Sequence, residues 1–250
     1  MRTDLVLTVA QSKRLIAKGV ARYEPVRRAL AEGTIAIAKG GTNAYVVEEL
    51  LGEPIEKRKF VTGQVLPRGV SREQAGLSDE IPDVVLVRGE RREGVSATEA
   101  LAEMGPGDIF IKGANALNYG LGVAGLLIGH PTGGTIAQAI GTIVARRIRL
   151  LIPVGLEKEV GWDITDASQR LADEPEGPGP SLWPLQGDIF TEIEALEWLF
   201  GVTAVPIAAG GVAGAEGAIW LACFGTQEQI EKVKALGEEL AAEPPFVPAP

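Results

Sequence analysis

The stretch TIAIAKGGTNAYVVEELL, residues 34–51, contains the pattern on which the fold prediction rests. Its first five residues form a short apolar run, typical of a strand that is buried on both faces of a parallel sheet. The glycines at positions 40 and 41 then turn the chain. From residue 44 to residue 51 apolar residues return at spacings of three and four, which predicts a helix. The stretch therefore predicts a strand, a glycine turn and a helix in succession.

Strands and helices continue to alternate on both sides of this unit. A helix is predicted over 10–32 with a break before Pro25, and another over 97–104. A further helix begins near Thr135. Strands are predicted at 60–66, 84–87, 109–111, 125–128 and 150–154. This alternation predicts an α/β fold with an open, mostly parallel sheet and helices on both of its faces.

The pattern changes after residue 160. Residues 161–188 include EPEGPGP at 174–180, a composition that predicts a linker or loop. The order helix, strand, strand, helix over 189–242 then predicts a small α+β subdomain, with a ferredoxin-like arrangement as one option. The chain is thus divided into an α/β ligand-binding domain at 1–160, a linker at 161–188, a subdomain at 189–242 and a frayed tail at 243–250.

Composition limits the classes of partner that are expected. The 250 residues carry 33 acidic and 24 basic side chains, a net charge of −9, so neither nucleic acid nor membrane is an expected partner. No run approaches the ~18–20 apolar residues of a spanning helix, and the apolar run near the N-terminus is too short for a signal peptide. The single cysteine, Cys223, excludes an internal disulfide and fits a reducing compartment. We therefore expect a cytoplasmic protein.

Two Gly-Gly-Thr turns, at 40–42 and 133–135, are the main candidates for a binding site. Each lies between a predicted strand and a predicted helix, where unpaired N–H groups and the helix dipole attract an anion. If both turns leave the carboxyl ends of parallel strands, they meet at one crevice. Neither has the spacing of a Walker loop or of a dinucleotide loop. The alternative is that each is only a tight turn at which a helix begins.

Three segments resemble ribose-5-phosphate isomerase. Residues 34–51 resemble its phosphate loop, and residues 108–118, DIFIKGANALN, are similar to its strand and Gly-Ala-Asp-x-x-Asp loop. The second segment is also similar to the Gly-Ala-Asn-Gly segment of sugar-phosphate sensor domains in deoxyribose-operon-type repressors. Residues 150–160 resemble a later strand of the isomerase, which would place Lys158 near the site. The chain thus resembles a divergent member of the superfamily of ribose-phosphate isomerases, glucosamine-phosphate deaminases and CoA-transferases, and this implies a phosphorylated ligand.

The departures from the isomerase pattern fall on its acid–base residues. Asn115 and Asn118 stand where that pattern has aspartates, and a neutral amide cannot remove a proton alpha to a carbonyl. His130 and Lys158 are the remaining catalytic candidates, although a lone loop histidine is often structural. A CoA-transferase-like reaction would need a nucleophilic glutamate, for which Glu157 is the nearest candidate.

Three functions remain open at this point. The first, favoured by the kept glycine turns and the lost aspartates, is the binding of a small anionic, phosphorylated metabolite. The second is an enzyme, either a sugar-phosphate isomerase or a CoA-transferase-like enzyme with a non-standard acid–base set. The third is an oligomeric scaffold with a vestigial crevice.

The predicted site consists of the residues of both turns and of the loop at 112–118. Neither a cofactor nor a metal is expected, because the one histidine has no ligand cluster. All four tryptophans lie at residue 162 or later. They point to packing between domains or subunits, so a homo-oligomer is an option. The predicted ligand-binding residues are Lys39, Gly40, Gly41, Thr42, Asn43, Lys112, Asn115, Asn118, His130, Gly133, Gly134 and Thr135.

Overall fold

The computed structural model of this chain describes residues 1–62 and 65–246. The described part contains strands, α-helices and two 3₁₀ turns at Lys57–Lys59 and Leu156–Lys158. The strands are β1 (Arg2–Leu7), β2 (Thr34–Ile37), β3 (Val84–Val87), β4 (Glu90–Arg91), β5 (Ile109–Ile111), β6 (Ala116–Asn118), β7 (Val123–Ile128), β8 (Arg149–Pro153), β9 (Ser181–Leu185), β10 (Asp188–Phe190), β11 (Thr203–Ala209) and β12 (Ile219–Phe224). The helices are α1 (Val9–Arg22), α2 (Glu24–Glu32), α3 (Gly41–Leu51), α4 (Ala97–Ala100), α5 (Gly134–Arg146), α6 (Ile164–Ala172), α7 (Glu192–Phe200) and α8 (Gln227–Leu240). The predicted α/β class is confirmed.

The largest sheet has six strands in the order β10-β8-β5-β2-β3-β4. The strands β10, β8, β5 and β2 run parallel, and β3 and β4 add an antiparallel edge. The apolar runs at 35–37 and 109–111 are fully buried, as expected for central strands. Because β2, β5 and β8 are parallel, the chain leaves all three at the same edge of the sheet.

The described residues form two further sheets, each with three antiparallel strands. One has the order β6-β7-β9, and the other β1-β12-β11. The expectation that the second Gly-Gly-Thr turn leaves a parallel strand is therefore wrong, because β7 pairs with antiparallel neighbours on both sides. A short apolar run predicts a buried strand but contains no information on which strands will pair with it.

The segment 161–188, predicted as a linker or loop, contains ordered elements. The helix α6 begins at the cap residue Asp163, whose side chain accepts hydrogen bonds from the N–H groups of Thr165 and Asp166. The strand β9 pairs with β7 over five residues despite Pro184, which an edge strand tolerates. The longest irregular stretch of the segment is 173–180. The strand predicted over 60–66 is absent at 60–62 and at 65–66, and residues 63–64 lie outside the described part of the chain.

The two ends of the chain contribute to one sheet. The N-terminal strand β1 pairs with β12 along its whole length, and α8 packs against both of these strands. Near the C-terminus, in the segment predicted to fray, Glu243 forms an ion pair with Arg14, and Phe246 lies against Tyr45. No helix in the described ranges has the length and apolar character needed to cross a membrane.

Candidate functional site

A cavity of about 470 Å³ opens at the sheet edge where β2, β5 and β8 end. Its wall is formed by the segments that follow these three strands, together with β7 and the start of α5. The structure therefore brings both Gly-Gly-Thr turns to one place, although one of them comes from an antiparallel sheet. The predicted site residues that line the cavity are Lys39, Gly40, Gly41, Thr42, Lys112, Asn115, His130, Gly133, Gly134, Thr135 and Lys158.

The first turn joins β2 to α3. Its backbone is fixed by two hydrogen bonds, from the Gly40 N–H to the Phe60 carbonyl at 2.9 Å and from the Lys39 N–H to Asp83 at 3.1 Å. Asn43 is fully buried and donates to the Ala38 carbonyl at 2.7 Å. Asn43 thus holds the end of β2 and does not line the cavity. The Thr42 hydroxyl lines it and has no hydrogen-bond partner among the described residues.

The second turn joins β7 to α5. Gly133 and Gly134 have φ angles of 79° and 61°, which favour glycine at both positions. Space also requires glycine at 133, because a Cβ there would lie 2.5 Å from the Cβ of Ala137. His130 is exposed, and its Nδ1 lies 3.2 Å from the Thr132 N–H. That hydrogen bond makes Nδ1 an acceptor, so the ring proton of a neutral His130 lies on Nε2.

Across residues 1–62 and 65–246, no side chain caps the helices that begin at these turns. By contrast, α1, α4, α6, α7 and α8 each begin at a Thr, Ser or Asp whose side chain accepts an N–H of the first turn. The helices α3 and α5 begin at glycine, with no acidic residue in the first turn. Their leading N–H groups therefore face the cavity without a side chain to satisfy them, and the helix dipoles add positive potential there.

Three lysines place further positive charge around the cavity. Lys112 follows β5, Lys158 ends the 3₁₀ turn after β8, and Lys13 lies on α1 beside Gly41. Burial lowers the pKa of all three amines, and the charge of Lys158 lowers the pKa of Lys13 and Lys112 further, to about 8. Within the described ranges, none of the three has a carboxylate oxygen within 4.0 Å. Their charges are therefore not neutralised by direct ion pairs.

The lysine that sequence analysis missed, Lys13, has a recognisable signal. It lies on the same face of α1 as Ala10, Ala17 and Val20, at spacings of three and four residues, and these three are buried. A lysine on a buried helix face requires a partner or a ligand. The sequence shows that Lys13 lies on an apolar helix face, but it does not show that this face lies beside the cavity.

Two carboxylates lie behind the lysines and outside the cavity lining. Glu192, the first residue of α7, is fully buried and accepts a hydrogen bond from the Leu156 N–H at 3.0 Å. Burial, together with the charge of Glu157, raises the pKa of Glu192 to about 7. One oxygen of Glu157 is also buried without a partner in the described part of the chain. It folds over Gly155, where a Cβ would lie 1.8 Å from that oxygen.

The two asparagines of the isomerase-like loop have separate roles. Asn115 lines the cavity, and its Oδ1 accepts the Leu127 N–H at 3.1 Å, which ties the loop to β7. Asn118 does not line the cavity. Its side chain accepts from the Leu121 N–H at 3.0 Å and donates to the Trp162 carbonyl at 3.1 Å.

The arrangement is suited to an anion and does not form a metal site. In residues 1–62 and 65–246, no three His, Cys, Asp or Glu side chains are grouped so that they could hold a metal ion. No Asp or Glu is among the described residues that line the cavity.

Comparison with protein-family models, with curated proteins and with solved structures finds no match to this chain.

Proposed function

We propose that this chain binds a small anionic, phosphorylated metabolite in the cavity between its two Gly-Gly-Thr turns. One observation carries the proposal: in the described part of the chain, three half-buried lysines without carboxylate partners surround two helix N-termini without side-chain caps. Cations held in this way are unfavourable until an anion joins them. A phosphate group supplies the opposite charge and accepts several N–H hydrogen bonds at once.

The size and lining of the cavity agree with a metabolite rather than a macromolecule. A volume of about 470 Å³ falls in the range of roughly 300–1,000 Å³ that is usual for small-molecule sites. Apolar residues such as Leu126, Ile128 and Ile136 line part of the wall. They would contact the carbon skeleton, while the turns and lysines hold the phosphate.

The resemblance to the ribose-phosphate isomerase superfamily supports the same class of ligand. We include in this proposal that the chain is a divergent member of that superfamily. The proposal also includes an open, mostly parallel sheet and a ferredoxin-like C-terminal subdomain. The isomerase and CoA-transferase alternatives are less well supported. The aspartates of the isomerase pattern are replaced by Asn115 and Asn118, which leaves only His130, among the described residues of the cavity lining, as a base for an isomerase. A CoA-transferase-like reaction needs a nucleophilic glutamate, and Glu157 does not line the cavity.

Thermal unfolding with added ligands tests the proposal. Inorganic phosphate and ribose 5-phosphate should raise the melting temperature, whereas ribose should not, because binding to the folded state alone is stabilising. Lys112→Met should remove most of the shift. Lys232→Met is the matched control, because Lys232 is exposed on α8, where it pairs with Glu228. The proposal fails if no phosphate compound raises the melting temperature at millimolar concentration, or if the Lys112 variant responds as the parent does.

A further inference from the structure

We propose that Lys112 forms an imine with the carbonyl carbon of the bound metabolite, so that the ligand is a phosphorylated aldehyde or ketone. This inference rests on the proposed function, because the phosphate is the group that holds the carbonyl in the cavity. It extends that function from binding to covalent chemistry at one named nitrogen.

The position of Lys112 is fixed, while its amine is left uncommitted. Its backbone continues the parallel ladder, with the Lys112 N–H donating to the Leu151 carbonyl at 3.0 Å. The side chain lines the cavity, and among the described residues its Nζ makes only a long contact of 3.5 Å with the carbonyl of Gly113. The other two lysines of the lining, Lys39 and Lys158, each donate to a carbonyl at 2.7 Å. Lys112 is thus the lining lysine best placed to react.

The surroundings of Lys112 favour the neutral amine that imine formation requires. Burial is the main cause of its lowered pKa, the charge of Lys158 lowers the pKa further, and the charge of Asp83 opposes both effects. With a pKa of about 8 instead of 10.5, the neutral fraction near pH 7 is roughly 300 times that of an ordinary lysine. A desolvated lysine beside a second cation is a known way to obtain an amine nucleophile.

The reaction balances with groups already in the cavity. The Lys112 nitrogen adds to the carbonyl carbon, and one of its protons passes to the oxygen, which gives a carbinolamine. The nitrogen lone pair then forms the C=N bond as the hydroxyl leaves. The Lys158 ammonium supplies the proton that turns this hydroxyl into water. The products are a protonated imine, one water molecule and a neutral Lys158, and no oxidant or reductant is consumed.

Reductive trapping tests the inference with three related probes. Pyridoxal 5′-phosphate carries an aldehyde and a phosphate, pyridoxal carries only the aldehyde, and pyridoxine 5′-phosphate carries only the phosphate. With one equivalent of pyridoxal 5′-phosphate followed by borohydride, we expect a single reduced adduct, mapped by peptide mass spectrometry to Lys112. Pyridoxal should label this site at least ten times more slowly, and excess pyridoxine 5′-phosphate should protect it.

Two variants separate the imine from simple anion binding. Lys112→Arg keeps the positive charge, so pyridoxine 5′-phosphate should still raise its melting temperature while the adduct is lost. Lys232→Arg should be labelled at Lys112 as the parent is. An adduct spread over surface lysines, or placed on Lys13 or Lys158, overturns the inference. So does a parent protein that is stabilised by pyridoxine 5′-phosphate but forms no adduct, although the proposed function then survives. If neither pyridoxine 5′-phosphate nor any other phosphate compound stabilises the parent protein, both fail.

Discussion

At the scale of single residues, the glycines of the two turns differ in what they tolerate. Gly133 and Gly134 have positive φ angles, so any side chain at these positions strains the backbone. Gly41 does not have a positive φ. A Cβ at Gly41 would lie 3.5 Å from the Lys13 amine and 4.0 Å from the Phe246 ring, both of which are ordinary contacts. Gly41 is therefore a turn residue at which anion binding can be separated from folding.

Replacing Gly41 by valine should block the anion without disturbing the fold. The added methyl groups occupy the approach to the α3 N-terminus and to Lys13, so phosphate should no longer raise the melting temperature. Gly141→Ala is the control, because Gly141 lies within α5 with open space around it. That change should stabilise the helix by about 0.5–1 kcal/mol and leave the phosphate response intact. An undiminished phosphate response in Gly41→Val would contradict the site.

Two single residues, Asn115 and Asn118, lead us to expect no isomerase activity. Asn115 is a neutral amide already bonded to Leu127, and Asn118 lies outside the cavity lining. Because each acid–base group typically contributes 10²–10⁴-fold, we expect conversion of ribose 5-phosphate to ribulose 5-phosphate to stay near background. A direct aldose–ketose assay measures this. Robust turnover that is abolished by His130→Ala would favour the isomerase hypothesis over the binding proposal.

At the scale of elements, local patterns predicted what local chemistry determines. The break between α1 and α2 falls just before Pro25, as the sequence predicts. The Thr-x-x-Glu and Thr-x-x-Gln patterns at Thr191 and Thr226 form capping boxes. The strand, turn and helix at 34–51 form as expected. In each case the residues that define the element are neighbours in the chain.

Long-range pairing could not be read in the same way. The antiparallel partners of β7 and the pairing of β1 with β12 depend on residues far apart in sequence. The residues of the candidate site likewise fall into local features that the sequence predicts and long-range features that it does not. Its glycine turns were predicted, since each turn is local. Lys13 and Glu192 were missed, because α1 and α7 reach the site only through packing.

The buried carboxyl at the start of α7 predicts a pH-dependent stability. The pKa of Glu192 is raised from 4.5 to about 7, so its side chain is neutral in the folded state at acidic pH. When it ionises at higher pH, Glu192 lowers the stability of the folded state. Its stabilising effect is fully present below pH 4.5 and is lost as the pH rises through 7. Relative to the parent, Glu192→Gln should therefore gain stability between these values, by on the order of 3 kcal/mol.

Urea unfolding of both proteins at pH 4.5 and pH 8 measures this difference. Glu197→Gln, on the exposed side of α7, is the control and should show the same difference from the parent at both values. A Glu192→Gln profile that runs parallel to that of the parent would show that folding does not raise the pKa of Glu192.

At the scale of the whole molecule, the two predicted domains are interlocked. The strand β1 and the helix α1 come from the first predicted domain, yet β1 pairs with β12 over six residues and α1 packs closely on α7. The α1–α7 contact is tight at Gly19, where a Cβ would lie 2.5 Å from the backbone of Ala195. Breaking the chain between the two halves therefore leaves this contact and the β1–β12 pairing in place.

Limited proteolysis tests this interlocking. Residues 173–180 are all exposed and are the expected cleavage site, which would give fragments of about 175 and 75 residues. We expect the nicked protein to elute from size exclusion as a single species and to separate only in denaturant. In Gly19→Val the added side chain would press on the Ala195 backbone. The nicked variant should therefore separate at a lower denaturant concentration than the nicked parent, while the pairings β1–β12, β7–β9 and β8–β10 still join the fragments. If the unmodified protein separates after one cut at 173–180, the packing of β1 and α1 does not hold the halves together, and the division at residue 160 describes two independent domains.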